Sequence, residues 1–509
     1  MSQPFYITTP IYYVNDAPHL GHAYTTIVAD AIARFHRMRG DATFMLTGTD
    51  EHGQKIEEAA KKRGLSPQEL CDQVAPRFQE MWKTLGISND DFIRTTEPRH
   101  KAIVLELWKR ISANGDLYLT TYQGWYCVGC EAFYKESDLI KDGDTFACAT
   151  HKKPVDWIDK ERSWFFALSK YAEPLLEHIE KNPGFIQPEQ YRTEIKAFIK
   201  GGLRDLSVSR TSFAWGIQPP EPDPEGMQHV IYVWLDALTN YLSALCEPGQ
   251  LGGPRVDQLW PSAIHLIGKD ILRFHAVYWP AFLLSAGLPL PRTILAHGWW
   301  TVRGEKISKS MPATRIDPVK LSEALGESSA FGLPIGIDAM RYYLMREVPL
   351  GNDGDFTFES LFGRYNAELA NDLGNLINRS LTMITRYAVD VQPRRDDAFH
   401  FDNTENPHWQ LEVHARETVR SVAAHLDACM PSRALEQVWR FVRIANGYIG
   451  QTEPWAMAKV KNPALAHTLW SLQASLWLIA RLVAPVLPAT SQLLRGWLGD
   501  SPETPPTWP

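Results

Sequence analysis

The apolar residues follow two rhythms along the chain. Phe5-Tyr6-Ile7-Thr8-Thr9 is aromatic and β-branched, which predicts a strand, and Pro10 is expected to stop it. After a loop to Pro18, residues Ile27, Ala31, Phe35 and Met38 recur at helical spacing. A helix is therefore predicted over 19–39, ended by Gly40, with Thr43-Phe44-Met45-Leu46 resuming as a strand. Strand, loop, helix and strand in that order begin a doubly wound parallel sheet. The rhythm breaks over 116–228, which reads as an insertion closed by the connector Pro219-Pro220-Glu221-Pro222-Asp223-Pro224. It returns after His229. Tyr232 to Leu245 is predicted helical, Ala263-Ile264-His265-Leu266-Ile267-Gly268 is a strand ending in a glycine turn, and another helix is expected from Asp270. From residue 365 the chain turns mostly helical, with Leu369, Leu373, Leu376, Ile377, Leu381 and Ile384 in one apolar stripe. The proline-rich tail Ser501 to Pro509 is expected to be loose.

Composition adds little to this picture. The 509 residues are 44% hydrophobic and 22% charged, as in an ordinary globular protein of several folding units. A net charge of −7 argues against a protein that coats nucleic acid non-specifically, though not against one with a local basic face. Met1-Ser2-Gln3-Pro4-Phe5 does not read as a signal peptide. The most apolar late stretch, Leu469 to Leu487, is interrupted by Ser471, Gln473, Ser475 and Arg481. It reads as an amphipathic helix rather than a membrane span, so the expected compartment is the cytoplasm and no membrane partner is expected.

Four constellations carry candidate chemistry. His19-x-Gly21-His22 opens the first predicted helix, where unpaired N–H groups suit a phosphate and a glycine lets a ligand approach. The pair also fits two ordinary surface histidines. Lys306-x-Ser308-Lys309-Ser310 lies in a loop between Gly304 and Pro312, where two lysines can clamp a polyphosphate. It also fits a solvated basic loop. Cys127-x2-Cys130 and Cys148-x2-His151 are paired at the spacing of a closed tetrahedral site, which predicts one structural zinc ion. Asn371, Asn375 and Arg379 recur at helical spacing away from the apolar stripe, a pattern able to read unstacked bases and equally a solvated polar face.

Two aromatic faces suggest an apolar pocket. Trp234, Ala237, Leu238 and Tyr241 share one helix face, and Phe274, His275, Tyr278 and Trp279 make a second. Rings suit a thioether, although such stripes also build ordinary cores. Asp50 follows an apolar strand at its carboxyl end, where doubly wound sheets bind ligands; it fits an ammonium partner or a helix cap.

His19-Leu20-Gly21-His22 and Lys306-Ile307-Ser308-Lys309-Ser310, in this order around an interrupted nucleotide-binding sheet, resemble the paired motifs of class I aminoacyl-tRNA synthetases. Thr9-Pro10-Ile11-Tyr12-Tyr13-Val14-Asn15, Gly48-Thr49-Asp50-Glu51-His52-Gly53, Trp234-Leu235-Asp236-Ala237 and Gly268-Lys269-Asp270-Ile271 with Phe274-His275 are similar to blocks of the methionine-specific branch. The resemblance covers nearly the whole chain. It implies activation of L-methionine with ATP to methionyl-adenylate and pyrophosphate, then transfer to the 3′ end of tRNA(Met). The implied ATP contacts are His19, Gly21, His22, Gly268, Asp270, Lys306, Ser308 and Lys309, of which His19, His22, Lys306 and Lys309 are catalytic, with Mg²⁺ brought by ATP. The implied methionine contacts are Ile11, Tyr13, Asp50, Trp234, Ala237, Leu238, Tyr241, Phe274, His275 and Trp279. Asn375 and Arg379 match anticodon-contacting positions, and Trp455 of Pro454-Trp455 matches a base-stacking tryptophan. Zinc on Cys127, Cys130, Cys148 and His151 matches the family's knuckles.

The implied fold class is α/β. A doubly wound, Rossmann-type catalytic domain (1–115 and 229–298) is interrupted by a zinc-knuckle insertion (116–228). A linker carrying the lysine loop (299–364) and an α-helical anticodon-binding bundle (365–509) follow. Many relatives append a dimerising domain at the C-terminus, so a chain ending at Pro509 is expected to be a monomer. Two other readings remain: a class I synthetase for leucine, isoleucine, valine or cysteine, and a non-catalytic tRNA-binding protein on the same scaffold.

Overall fold

The computed structural model describes residues 2–14, 17–127, 132–134, 136–142, 145–149, 152–302, 304–306, 316–327, 329–389, 391–396, 405–501 and 504–509. Its centre is a six-stranded parallel sheet. The strands are β1 (Pro4–Tyr13), β2 (Ala42–Asp50), β3 (Asp91–Arg94), β4 (Ile186–Gln187), β5 (Ile264–Gly268) and β6 (Thr293–His297), in the order β3-β2-β1-β5-β6-β4. The chain winds outward from β1 to β3 on one side, then crosses to β5 and β6 on the other. The β1/β5 boundary is thus the topological switch point, where such sheets open a crevice at the carboxyl ends of their strands. Strand β4 falls within 116–228, so that segment also contributes an edge strand to the sheet.

Alternation along the strands separates two cores. Phe5, Ile7 and Met45 pack on the side of helix α1 (Leu20–Met38), whereas Tyr6, Phe44 and Leu46 pack on the side of α2 (Pro98–Ala113) and α3 (Val233–Ser243). Helix α1 is buried around nearly its whole circumference, and small residues at Ala23, Ala29, Ala31 and Ala33 permit that enclosure. It stops where Gly40 takes a φ of +84°. The linker helix α4 (Leu333–Arg346) packs between α1 and the helical region, whose longest members are Pro407–Asp427, Pro431–Thr452 and Leu465–Val483.

Several details depart from the sequence expectations. β1 does not stop at Pro10 but runs to Tyr13, with a one-residue bulge between Thr8 and Ile11. The reason is local: β5 pairs only with Ile7 and Thr8, so no ladder bond is demanded of the missing Pro10 N–H. The helix expected from Asp270 begins as a 3₁₀ turn, and Phe274–Tyr278 is π-helical before Trp279–Ser285 continues as α. Tyr365–Gly374 is π-helical too, so Asn371 lies outside the α-helix Asn375–Tyr387 and does not share its repeat. Lys306 ends a short strand paired to Trp300–Val302 rather than lying in the loop. The tail is docked: Trp508 donates its N–H to the Met38 carbonyl (2.9 Å) and sets its ring edge-on to Phe35. Among the described residues no helix is long and apolar enough to cross a membrane.

In the inserted segment, an antiparallel sheet orders Leu206–Ser207, Asp156–Phe166, Leu117–Cys127 and Ala132–Tyr134, beside the hairpin Leu139–Asp142/Thr145–Cys148.

Candidate functional site in the crevice of the parallel sheet

The start of α1 is built by its two histidines. His19 is the N-cap, and its Nδ1 accepts from the Gly21 N–H at 3.1 Å. His22 returns the bond, its Nδ1 accepting the His19 N–H at 3.1 Å. The rings stack at 3.8 Å. Each Nδ1 is therefore an acceptor, which places the proton of the neutral ring on Nε2. The result is two Nε2–H donors beside the positive end of a helix, an anion-binding arrangement. Gly21 is needed because a Cβ there would lie 3.0 Å from His19 Cε1.

The described residues on either side of the lysine motif are each held in place. At its start Thr301 pairs with Lys306, and Asp355 accepts from Thr301 Oγ1 (2.6 Å) and the Gly304 N–H (2.9 Å). Beyond it, the Ile316 carbonyl accepts the Leu20 N–H at 3.1 Å. Ser308 and Lys309 lie outside the described residues.

Strand ends supply the crevice. Tyr13 ends β1 directly beside Asp50, which ends β2 and is almost fully buried. Gly268 ends β5, and a Cβ there would sit 2.6 Å from Asp270 Oδ1, so the glycine admits that carboxylate. Trp299 Nε1 donates to the same oxygen at 3.1 Å. His297 ends β6 with its Nδ1 donating to the Gly298 carbonyl (2.7 Å) and its Nε2 2.8 Å from Thr25 Oγ1 of α1. Burial lowers its pKa, keeping it neutral.

The aromatic faces meet as a box. Trp234 and Phe274 stack in parallel at 3.8 Å, half-exposed like Ile11 and Tyr13. Behind them Tyr241 stacks on His265 at 4.0 Å and donates its hydroxyl to His275 Nε2 at 2.8 Å. His275 Nδ1 donates to the Ile271 carbonyl at 3.0 Å, so this ring is a neutral tautomer with both nitrogens used. Burial pushes its pKa down to about 4. Ala237, Leu238 and Trp279 are buried, Trp279 against Trp260 and His265. The π-turn puts Phe274 over Tyr278 at 5.5 Å, edge to face, and that pair borders the cleft while His275 and Trp279 turn inward.

Sequence reasoning missed Arg210 and His265. Arg210 is buried, with its guanidinium over the rings of Tyr126 (5.3 Å) and Tyr232 (4.9 Å). It stands with Tyr232, Phe274 and Tyr278 on the wall of a cleft of about 420 Å³ between the insertion and the sheet. No local pattern marks it; a lone arginine in a polar stretch gives no signal.

Elsewhere, Cys127 and Cys148 are buried in one small core with Val155. Cys127 pairs with Ala132, and the Cys148 carbonyl accepts the Lys152 N–H at 2.7 Å. Cys130 and His151 lie outside the described residues. Far from the crevice, Asn375 is exposed and Arg379 half-buried on Asn375–Tyr387, which touches the short helix Pro454–Lys459 carrying Trp455, 39% exposed.

Comparison with known proteins agrees with this architecture. The family model "tRNA synthetases class I (M)" matches residues 5–381. The chain is 45% identical over 489 residues to a methionine–tRNA ligase of Thermotoga maritima, covering 96% of this chain and 74% of that protein. It is 44% identical over 503 residues to that of Rickettsia conorii, covering 99% and 94%. Among solved structures, Mycobacterium tuberculosis methionyl-tRNA synthetase in complex with methionyl-adenylate superposes with a TM-score of 0.91 at 42% identity, over 99% of this chain and 95% of that one. The chain belongs to the methionyl-tRNA synthetases, ATP-dependent class I enzymes that ligate methionine to tRNA.

Proposed function

We propose that methionine activation runs in the crevice at the β1/β5 boundary, with the residues assigned as follows. The observation that carries this reading is the convergence of three features there: the His19–His22 cap, the Ile316 carbonyl that holds the chain following the lysine motif to Leu20, and the Trp234–Phe274 wall. Methionine lies with its thioether among Trp234, Phe274, Tyr241, Ala237, Leu238, His275 and Trp279, flanked by Ile11 and Tyr13. Asp50 takes its ammonium group.

The methionine carboxylate oxygen bonds to the α-phosphorus of ATP as the bond to pyrophosphate breaks in line. Positioning and charge stabilisation suffice for such a displacement. The Nε2–H groups of His19 and His22 donate to phosphate oxygens, with Gly21, Gly268 and Asp270 shaping the nucleotide's place. Lys306 and Lys309, with Ser308, neutralise the departing pyrophosphate. Mg²⁺ carried in by ATP supplies further charge neutralisation on the phosphates. The ribose of the tRNA 3′ end then takes the methionyl group, and Asn375, Arg379 and Trp455 engage the anticodon of tRNA(Met).

We assign one structural zinc ion to Cys127, Cys130, Cys148 and His151. The burial of Cys127 and Cys148 together in one small core fits such a donor set. The soluble substrates ATP and tRNA point to the cytoplasm as the place of action.

ATP–pyrophosphate exchange across a panel of amino acids tests the assignment. Exchange should depend on methionine, with homocysteine activated weakly, because one methyl group in an apolar pocket is worth only about 1–3 kcal/mol. Lys309→Ala should slow exchange far more than it weakens methionine binding. Near-normal exchange in that variant would sink the role given to the lysine loop.

A further inference from the structure

Helix α3 has two faces that do different things. Trp234, Ala237, Leu238 and Tyr241 form the aromatic side. Asp236, Thr239, Asn240 and Ser243 lie roughly 180° around the helix at 100° per residue, and all four are buried. Thr239, Asn240 and Ser243 donate back to carbonyls of the helix itself, so in this stripe Asp236, together with the Ser243–His100 contact, is what ties the helix to other elements.

The pairing of Asp236 is unusual in joining three elements. Its Oδ2 accepts from His52 Nδ1 at 2.7 Å, and its Oδ1 accepts from His100 Nε2 at 2.7 Å. His100 comes from α2, and its Nδ1 lies 3.0 Å from Ser243 Oγ on α3 itself. His52 comes from the loop that follows β2, two residues beyond Asp50. All three side chains are at most 2% exposed. Burial raises the carboxyl's pKa, but the two imidazoles outweigh it and hold it down at about 2, so Asp236 is an anion.

The loop from Asp50 to Gly53 is held from its other side as well. Glu51 is fully buried and takes Arg94 Nε (2.7 Å) and Nη2 (3.0 Å), with Thr49 Oγ1 at 2.7 Å. Trp215 Nε1 donates to the Glu51 carbonyl at 2.6 Å, and the Gly53 N–H donates to the Trp215 carbonyl at 3.1 Å. These bonds hold the loop to β3 and to the inserted segment, and Asp236 joins it to α3.

We propose that Asp236, bridged to His52 and His100, is a positioning residue of the amino-acid site: it fixes the carboxylate of Asp50 relative to the Trp234–Tyr241 face of α3. The inference rests on the reading of Asp50 and that face as the two ends of the methionine site. Asp236 touches neither substrate nor the reacting atoms. It acts by setting the separation and rotation of the groups that recognise the ammonium at one end and the thioether at the other.

The test measures methionine and ATP kinetics in pyrophosphate exchange with the full chain. Asp236→Asn keeps the shape but can no longer accept from both imidazoles. It should raise KM for methionine roughly ten-fold or more, because small misplacements of binding groups are costly, while leaving kcat and KM for ATP near wild type. Asp50→Asn should raise KM for methionine by itself, and adding Asp236→Asn to it should raise it little further, since both act on one contact. His100→Gln retains an N–H donor for Asp236 and should stay close to wild type, whereas His100→Leu should reproduce Asp236→Asn. The histidine pair decides the matter if Asp236→Asn does not fold. A normal KM for methionine in Asp236→Asn, alongside a raised one in Asp50→Asn, would overturn the proposal. So would parallel losses for methionine and ATP, or equal effects of Gln and Leu at His100. A normal KM in Asp50→Asn would instead overturn the reading of Asp50, and the coupling with it.

Discussion

Arg341 of α4 and Asp30 of α1 are both fully buried, with Nη2 2.6 Å from Oδ2. The same guanidinium donates to the carbonyls of Val486 (2.8 Å) and Pro485 (3.1 Å), so it ties the helix that begins at His19 to the helical region. Asp30 also takes Arg34 Nε (2.7 Å) and the Ser88 N–H (2.8 Å). Burial pushes the Asp30 carboxyl up, but Arg34 and Arg341 outweigh it and hold it well below the ordinary range. Asp30→Ala leaves Arg341 buried without its carboxylate and should cost about 3–5 kcal/mol. The double variant Asp30→Leu/Arg341→Met should cost less than the sum of the singles. A depressed carboxyl contributes stability above its unfolded pKa and loses it as pH falls through the folded one. The loss in Asp30→Ala should therefore be full at pH 7 and shrink only in strong acid. Urea melts at both pH values check it; additive losses would contradict it.

Gly21 separates activity from stability. Its φ is not in the left-handed region and it sits in the first turn of α1, so alanine suits the backbone and should stabilise by up to about 0.5–1 kcal/mol. Yet the new Cβ would press on His19 Cε1 and Nδ1, at 3.0 and 3.2 Å. The ring must shift, and its Nε2–H shifts with it. Gly21→Ala should melt close to wild type, the backbone gain offset by the strained His19 cap, while its exchange rate falls about ten-fold or more, with KM for methionine unchanged. Full exchange activity would show that the ring position does not matter to the phosphates.

How much of this was legible in the sequence depended on distance along the chain. The strand–loop–helix start, the stop at Gly40 and the parallel α/β class followed from local periodicity, and so did the pairing of His19 with His22 at one helix start. The π-turns at Phe274–Tyr278 and Tyr365–Gly374 did not, because their apolar spacing also satisfies an α-helix. Nor did the continuation of β1 through Pro10, which depends on how far β5 reaches. The buried polar pairs were invisible for a plainer reason. Asp236 and His52 are 184 residues apart, and Arg341 and Asp30 are 311 apart, so no window contains both partners.

Asp338 offers a pH test of the contact between α4 and the helix Pro488–Trp497. It is buried beneath an apolar groove and accepts the N–H groups of Thr490 (2.6 Å) and Ala489 (3.4 Å). Burial outweighs those bonds and raises its pKa from 3.8 to about 6. Between these values the folded state holds more protons than the unfolded one, so stability falls as pH rises through that window. At 1.36 kcal/mol per pH unit the loss is on the order of 3 kcal/mol. Asp338→Asn keeps one acceptor oxygen and carries no charge. Its melting temperature relative to wild type should therefore rise between pH 4 and pH 7. An offset that is the same at both values would show that the carboxyl is not displaced.

The knuckle makes the last prediction. Among the described residues its core is three buried ones, Cys127, Cys148 and Val155, with Trp125, Tyr134, Leu139 and Phe146 packed at the edge. A core that small gains much from the zinc ion proposed for it, which would supply stability the side chains do not. Elemental analysis should find about one zinc per chain, as four closed ligands require. Cys148→Ser should lower that content and open the hairpin Leu139–Asp142/Thr145–Cys148 to protease, before any loss of methionine-dependent exchange. The order matters, because the parallel sheet and its crevice have their own core and do not use this one. Zinc-free protein with an intact, protease-resistant hairpin would remove the metal from the account. Loss of exchange in step with loss of zinc would mean that the knuckle also orders the cleft wall near Arg210.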